Sequence, residues 1–258
     1  FSIGLYELNL DGTNKLDTNG QPIETYTQAD VSNLARVFTG YNHDYSVGTF
    51  NSPKPPNPKV QNLPIARGNM PFNANQHSLL EKKFLGVTIP AGTGGPESLR
   101  IALDTIFNHP NVGPFLARQF IQRLVTSNPS AGYVARVASV FNNNGAGVRG
   151  DLKATLRAIL LDPEARGAAS LADPLFGKLR EPMLRVAQWG RTFKARSVRG
   201  SWKLGPTPWT PREDIAQYPL EPNGVFNFFR PGYVPAGTVF AQRKATMPEF
   251  QIINESTV

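Results

Sequence analysis

Residues 95–161 read GPESLRIALDTIFNHPNVGPFLARQFIQRLVTSNPSAGYVARVASVFNNNGAGVRGDLKATLRAILL, and this stretch decides the fold. Pro96 suits a first helical position, where its missing N–H costs nothing. Leu99, Leu103 and Ile106 then recur at helical spacing until His109-Pro110 interrupts. A second helix carries Val112, Leu116, Phe120 and Leu124 and ends at Asn128-Pro129. Ser130 caps a third, with Val134, Val137, Ala138 and Phe141 on one face and NNNGAG as its stop. A fourth starts from Asp151, with Leu152, Leu156, Ile159 and Leu160 sharing a face. Four amphipathic helices with short connections predict antiparallel neighbours that bury their apolar stripes against one another.

Downstream, GAASLADP reads as a loop of small residues. REPMLRVAQWGRTFKA follows as a fifth helix with Met183, Val186, Ala187, Gly190 and Phe193 on one face. From Trp202 to Phe240 the chain interleaves aromatics with prolines, which remove backbone donors and fix φ, so this segment is expected as a loop held by its rings. A short helix from Pro248, with Phe250, Ile252 and Ile253, is expected to close the chain. Upstream, Asp11-Gly12 and Asn19-Gly20 predict a small hairpin, and Thr27 with Asp30 forms a capping box for a helix over Gln28–Thr39, stopped by Gly40. Residues 41–95 lack periodicity, and SPKPPNPK within them is expected as extended polyproline II. The expected fold class is mainly α: an irregular helical bundle with a long loop-rich N-terminal region and a Pro/aromatic-rich C-terminal loop. It is read as one domain over 1–258, made of 1–95, a helical body 96–196, and 197–258.

Composition removes several function classes. The chain of 258 residues is 40% hydrophobic, enough for a sizeable core, and has no cysteine, which excludes disulfides, cysteine zinc sites, iron–sulfur clusters and thiol nucleophiles. No apolar run is long enough to span a membrane, and the first residues do not read as an export signal. Starting at Phe1, the chain reads as a processed product or a fragment. Its net charge of +8 is concentrated: between Arg149 and Arg199 eleven Lys and Arg face five Asp and Glu. That excess attracts an anionic partner, but no helix-turn-helix, zinc-finger or RNP-type pattern accompanies it, so nucleic acid is not expected.

Candidate chemistry is sparse. No P-loop, dinucleotide fingerprint or nucleophile elbow occurs, so no cofactor is expected. Asp11, Asp17 and Asn19 fit turn chemistry better than a calcium loop. Of the three histidines, His43 and His77 share the irregular region and are open as metal ligands or an acid–base pair; the alternative is structural hydrogen bonding. His109, at a helix corner, is expected to cap carbonyls of the preceding helix. Carboxylates carry the leading catalytic reading. Glu181, Asp214 and Glu221 lie in or near the aromatic segment, and paired carboxylates beside aromatic faces are the equipment of glycoside hydrolysis. Trp202, Trp209 and Tyr233 are the matching stacking candidates. The competing readings are an ion pair of Glu181 with a neighbouring arginine at a helix start, and core packing for the tryptophans.

Several segments together carry a resemblance: ADVSNLARVFTGY, HSLLEKKFLGVTIPAG, IFNHPNVGPFLARQFIQRLVTSNPSAGYVARVASVFNNNG, VRGDLKATLRAILLDPEAR, GKLREPMLR and VFNFFRPGYVPAG. They resemble the later portion of a large bacterial family catalogued as the domain of unknown function numbered eighteen hundred. The resemblance implies exported proteins, typically longer at the N-terminus, that often accompany a secreted protein of the alkaline-phosphatase or sulfatase type. It brings no catalytic residues. The expectation is an extracytoplasmic protein, periplasmic or secreted, that acts on polysaccharide as a glycoside hydrolase. The alternative is a non-catalytic exported module that docks a partner protein or surface through its basic helices and aromatic loop.

Overall fold

The computed structural model describes residues 3–44, 68–198, 217 and 228–250. The fold is mainly α-helical, and the chain divides into two compact units. Phe1–Asn9 and Asn14–Val112 form the first; Leu10–Thr13 and Gly113–Val258 form the second. Each has its own apolar core.

The first unit opens with three short segments that pair through Tyr6–Glu24, Leu8–Asn14 and Leu16–Pro22. Asp17 Oδ1 accepts the Asn19 and Gln21 N–H groups at 2.8 Å, so this carboxylate serves a turn, as its spacing implied. Helix α1, Gln28–Val37, starts from the expected capping box: Thr27 Oγ1 accepts the Asp30 N–H at 3.3 Å and Asp30 Oδ2 accepts the Thr27 N–H at 2.7 Å. The sequence reading passed over a hairpin, β1 (Lys82–Phe84) and β2 (Val87–Ile89), joined through Leu85 and Gly86 at φ 49° and 76°. Its signal was present in KKFLGVTI: a glycine suited to positive φ, followed by β-branched Val-Thr-Ile. The Leu85 N–H donates to Asp30 Oδ1 at 2.9 Å, which ties the turn to α1. Helix α2, Gly95–Asn108, packs against α1 and β2, and Val37, Phe84, Ile89 and Ala102 make the core. Gly95 is required there: a Cβ would stand 2.0 Å from Phe72 Cε2.

In the second unit, α3 (Val112–Leu124), α4 (Ala131–Asn142) and α5 (Leu152–Leu161) bury Ala117, Ile121, Tyr133, Val134, Val137, Ala138 and Ile159 together. The stripe expected for α4 is the one it buries. The others hold only in part: Val112 and Ile159 are buried and Leu99 and Phe120 pack half-buried against the cores, but the centre of each interface lies elsewhere. Helix α2 buries Gly95, Ser98 and Ala102 and exposes Leu103; α3 buries Ala117 and Ile121 and exposes Leu124; α5 buries Thr155 and Ile159 and exposes Leu152, Leu156 and Leu160. Small and β-branched side chains let neighbouring backbones approach closely, so they take the centre of each interface and push the long leucines to the rim.

Asp162 starts a short helix ahead of the expected small-residue loop, and part of that loop, Ala168–Ala172, is itself helical. Asp162 closes α5 and accepts the Glu164 N–H at 2.9 Å. With Pro163 at the first position it starts α6 (Pro163–Arg166), and α7 (Ala168–Ala172) follows. Helix α8 spans Pro182–Thr192, and a short α9, Val239–Gln242, lies in the C-terminal segment. Residues 251–258, holding most of the expected terminal helix, and the polyproline stretch lie outside the described residues. Among the described residues no helix is long and apolar enough to cross a membrane.

Candidate functional site

The carboxylate singled out from sequence, Glu181, occupies the N-cap of α8 but makes no cap hydrogen bond with its side chain. It is buried and turned toward α3, where Arg123 donates to its Oε1. Its other oxygen accepts from Gln217 Nε2 at 2.7 Å. Gln217 Oε1 in turn accepts the Met183 N–H at 2.9 Å, so Gln217 performs the capping that Glu181 does not. The ion pair weighed from sequence therefore exists, but with an arginine on a distant helix.

A second buried carboxylate lies nearby in the network. Glu249 has no exposed surface, and Lys178 Nζ stands 3.1 Å from its Oε1. The same ammonium donates to the Arg123 carbonyl at 2.7 Å. The Arg123 guanidinium lies over the Phe229 ring, 5.1 Å from its centroid. Two cations and two carboxylates thus balance, which offsets the burial of Glu181 and Glu249. One helical turn holds the other anchor. Gln122 Nε2 donates to the Ser127 and Pro231 carbonyls at 3.0 and 3.1 Å and to Thr246 Oγ1 at 3.1 Å. Asn128 and Thr246 exchange hydrogen bonds, with the Thr246 N–H reaching Asn128 Oδ1 at 2.7 Å.

Both Glu181 oxygens are engaged, and the bonds run from α3 to the start of α8 and to the C-terminal segment. Tyr233 is half-buried in that segment, and its backbone carbonyl accepts the Met247 N–H at 2.8 Å. Asp214, Glu221, Trp202 and Trp209 lie outside the described residues.

The family profile for proteins of unknown function designated DUF1800 matches residues 1–257. The chain belongs to that family. Comparison with curated proteins and with solved structures returns no match. In this DUF1800 chain, three of the segments quoted above meet at the buried network: QFIQRL supplies Gln122 and Arg123, GKLREPMLR supplies Lys178 and Glu181, and FFRPGY supplies Phe229 and Pro231.

The network sets α8 with most of its surface in solvent. Met183, Val186 and Gly190 form its half-buried stripe as expected, but Ala187 and Phe193 are exposed. Phe193 is the C-cap, and Lys194 follows at φ 51°, so the chain has left the helical wheel where Phe193 was placed. Trp189, 58% exposed, packs on Phe193, 67% exposed, with ring centroids 5.7 Å apart. Arg185, Arg191, Lys194 and Arg196, each within four residues of the pair in sequence, are exposed. Sequence reasoning passed over Trp189; its position off the Met183–Val186–Gly190 stripe was the available signal.

His77 takes a structural position. Nδ1 of His77 lies 2.9 Å from the Thr39 carbonyl and so carries the proton, while its ring meets Phe72 edge-on and Phe72 meets Tyr41. His43 is half-buried two residues beyond Tyr41. No group of three His, Asp or Glu among the described residues is placed to hold a metal ion. His109 closes α2 as expected, its backbone N–H donating to the Ile106 carbonyl at 3.1 Å, and its Nδ1 accepts the Asn111 N–H at 3.2 Å across the helix corner.

Proposed function

We propose that this DUF1800 chain is an extracytoplasmic binding module that holds an acidic polysaccharide on the outer face of α8. The observation that carries the reading is the exposed Trp189–Phe193 pair, with exposed Arg185, Arg191, Lys194 and Arg196 each within four residues of it in sequence. An aromatic face attracts the C–H groups of a sugar ring, and guanidinium groups bind carboxylates in a fixed fork geometry, so the combination suits a uronate polymer. The buried ion network supports the reading from the other side, because it commits Glu181 to anchoring α8. Export rests on the family resemblance.

The test is affinity electrophoresis in gels containing polygalacturonate or alginate, with dextran as the neutral control, and reducing-end release scored in parallel. Retardation by the polyuronates and not by dextran is expected, weakened about fivefold to tenfold in Trp189→Ala, from loss of an aromatic contact of roughly 1 kcal/mol. Equal mobility of Trp189→Ala and the parent in every gel would refute the reading. Reducing-end release that depends on Asp214 or Glu221 would restore the hydrolase.

A further inference from the structure

We propose that the outer face of α5 docks an acidic amphipathic helix of a partner protein. This surface is separate from the aromatic face of α8 and does not depend on the polysaccharide reading. Leu152, Leu156 and Leu160 are 54%, 40% and 51% exposed, and their spacing of four residues sets them in a row along two helical turns, about 12 Å. The row is rigid, because Thr155 and Ile159 on the adjoining flank of the same helix are fixed in the core. Three half-exposed leucines in line form a continuous apolar stripe that a second amphipathic helix can cover, unlike scattered surface apolar residues.

Charge selects the occupant. Lys153 and Arg157 lie one turn apart beside the leucines, both exposed, and neither forms an ion pair among the described residues. The two carboxylates at the ends of α5 are already committed. Asp151 accepts from the Ala154 N–H and Asn144 Nδ2, at 2.9 and 2.8 Å, and Asp162 takes both bonds of Arg136 at 2.8 Å. The face therefore offers an apolar row beside two exposed positive charges that form no ion pair among the described residues. Its complement is a helix with apolar residues at every third or fourth position flanked by Asp or Glu. No aromatic side chain belongs to this face, which separates it from the sugar-stacking surface on α8.

A displayed library of amphipathic helices about 18 residues long, with leucine fixed along one stripe and flanking positions randomised among Glu, Lys, Gln and Ser, tests the assignment without a known partner. The library is selected on the full chain and counter-selected on Leu156→Glu, whose helical content is checked by circular dichroism. Expected is enrichment of Glu at the flanks, binding that weakens at least about tenfold in Leu156→Glu, and a switch to Lys-flanked helices in Lys153→Glu/Arg157→Glu. Three results would overturn the proposal: no clone that discriminates the parent from Leu156→Glu, enrichment of Lys flanks on the parent, or loss in Leu156→Glu of self-association or anionic-vesicle binding in place of peptide binding.

Discussion

Lys82→Met removes an ammonium from a position where the structure gives it nothing to bond, and the expected consequence is a more stable first unit. Lys82 shares the inward face of β1 with Phe84, opposite Ile89, and is fully buried; its Nζ has no hydrogen-bond partner. The carboxylates close in sequence or structure are occupied: Glu81 pairs with Lys83 at 2.9 Å, and Asp30 is bonded to Thr27 and the Leu85 N–H. Burial first, and the Arg36 charge second, push the Lys82 amine below the ordinary lysine range. An unsatisfied buried polar group costs roughly 1–3 kcal/mol, and methionine keeps the unbranched length without it, so a gain of about that size is expected near neutral pH. The sign of the pH dependence follows. The unfolded chain holds the Lys82 proton more tightly than the folded one, so stability rises with pH between the folded value and the unfolded value near about 10.4. Lys82→Met should lose that rise.

The readout needs care, because the three tryptophans, 189, 202 and 209, all belong to the second unit. Urea-dependent hydrogen exchange of peptides covering α1 and the β1–β2 hairpin reports on the first unit alone. Destabilisation by Lys82→Met, or an alkaline rise that survives in the variant, would refute the argument.

Two further outcomes follow from single contacts. Asp162 is held below the ordinary carboxylate range: burial, the largest influence, opposes its ionisation and is outweighed by the Arg136 hydrogen bonds, the Glu164 N–H and the Arg136 charge. It therefore stabilises the second unit above the unfolded value of about 3.9 and loses that effect as pH falls through the folded value. Because Arg136 is half-exposed, Asp162→Asn should cost only about 1–2 kcal/mol at pH 7 in urea melts followed by tryptophan fluorescence, a difference that closes in acid. Gly95→Ala drives a methyl into the Phe72 ring and should destabilise the first unit by about 1–3 kcal/mol, with partial rescue by Phe72→Leu. A neutral Gly95→Ala in hydrogen exchange would show that the two do not approach so closely.

What was legible in the sequence was local. The capping box at Thr27, the Ser130 cap and the whole core stripe of α4 depend on residues within a turn or two of one another, and they stand as read. Helix existence and the mainly α class follow from the same short-range periodicity. The orientation of α2, α3 and α5 was decided elsewhere, because which flank of an amphipathic helix is buried depends on how closely its neighbour approaches. Ala102, Ala117 and Thr155 permit that approach where leucine does not. The candidate site is tertiary throughout. Arg123, Lys178, Glu181, Gln217 and Glu249 are spread over more than a hundred residues, and each reads as an ordinary surface charge or amide until packing removes its water and leaves the others as its partners.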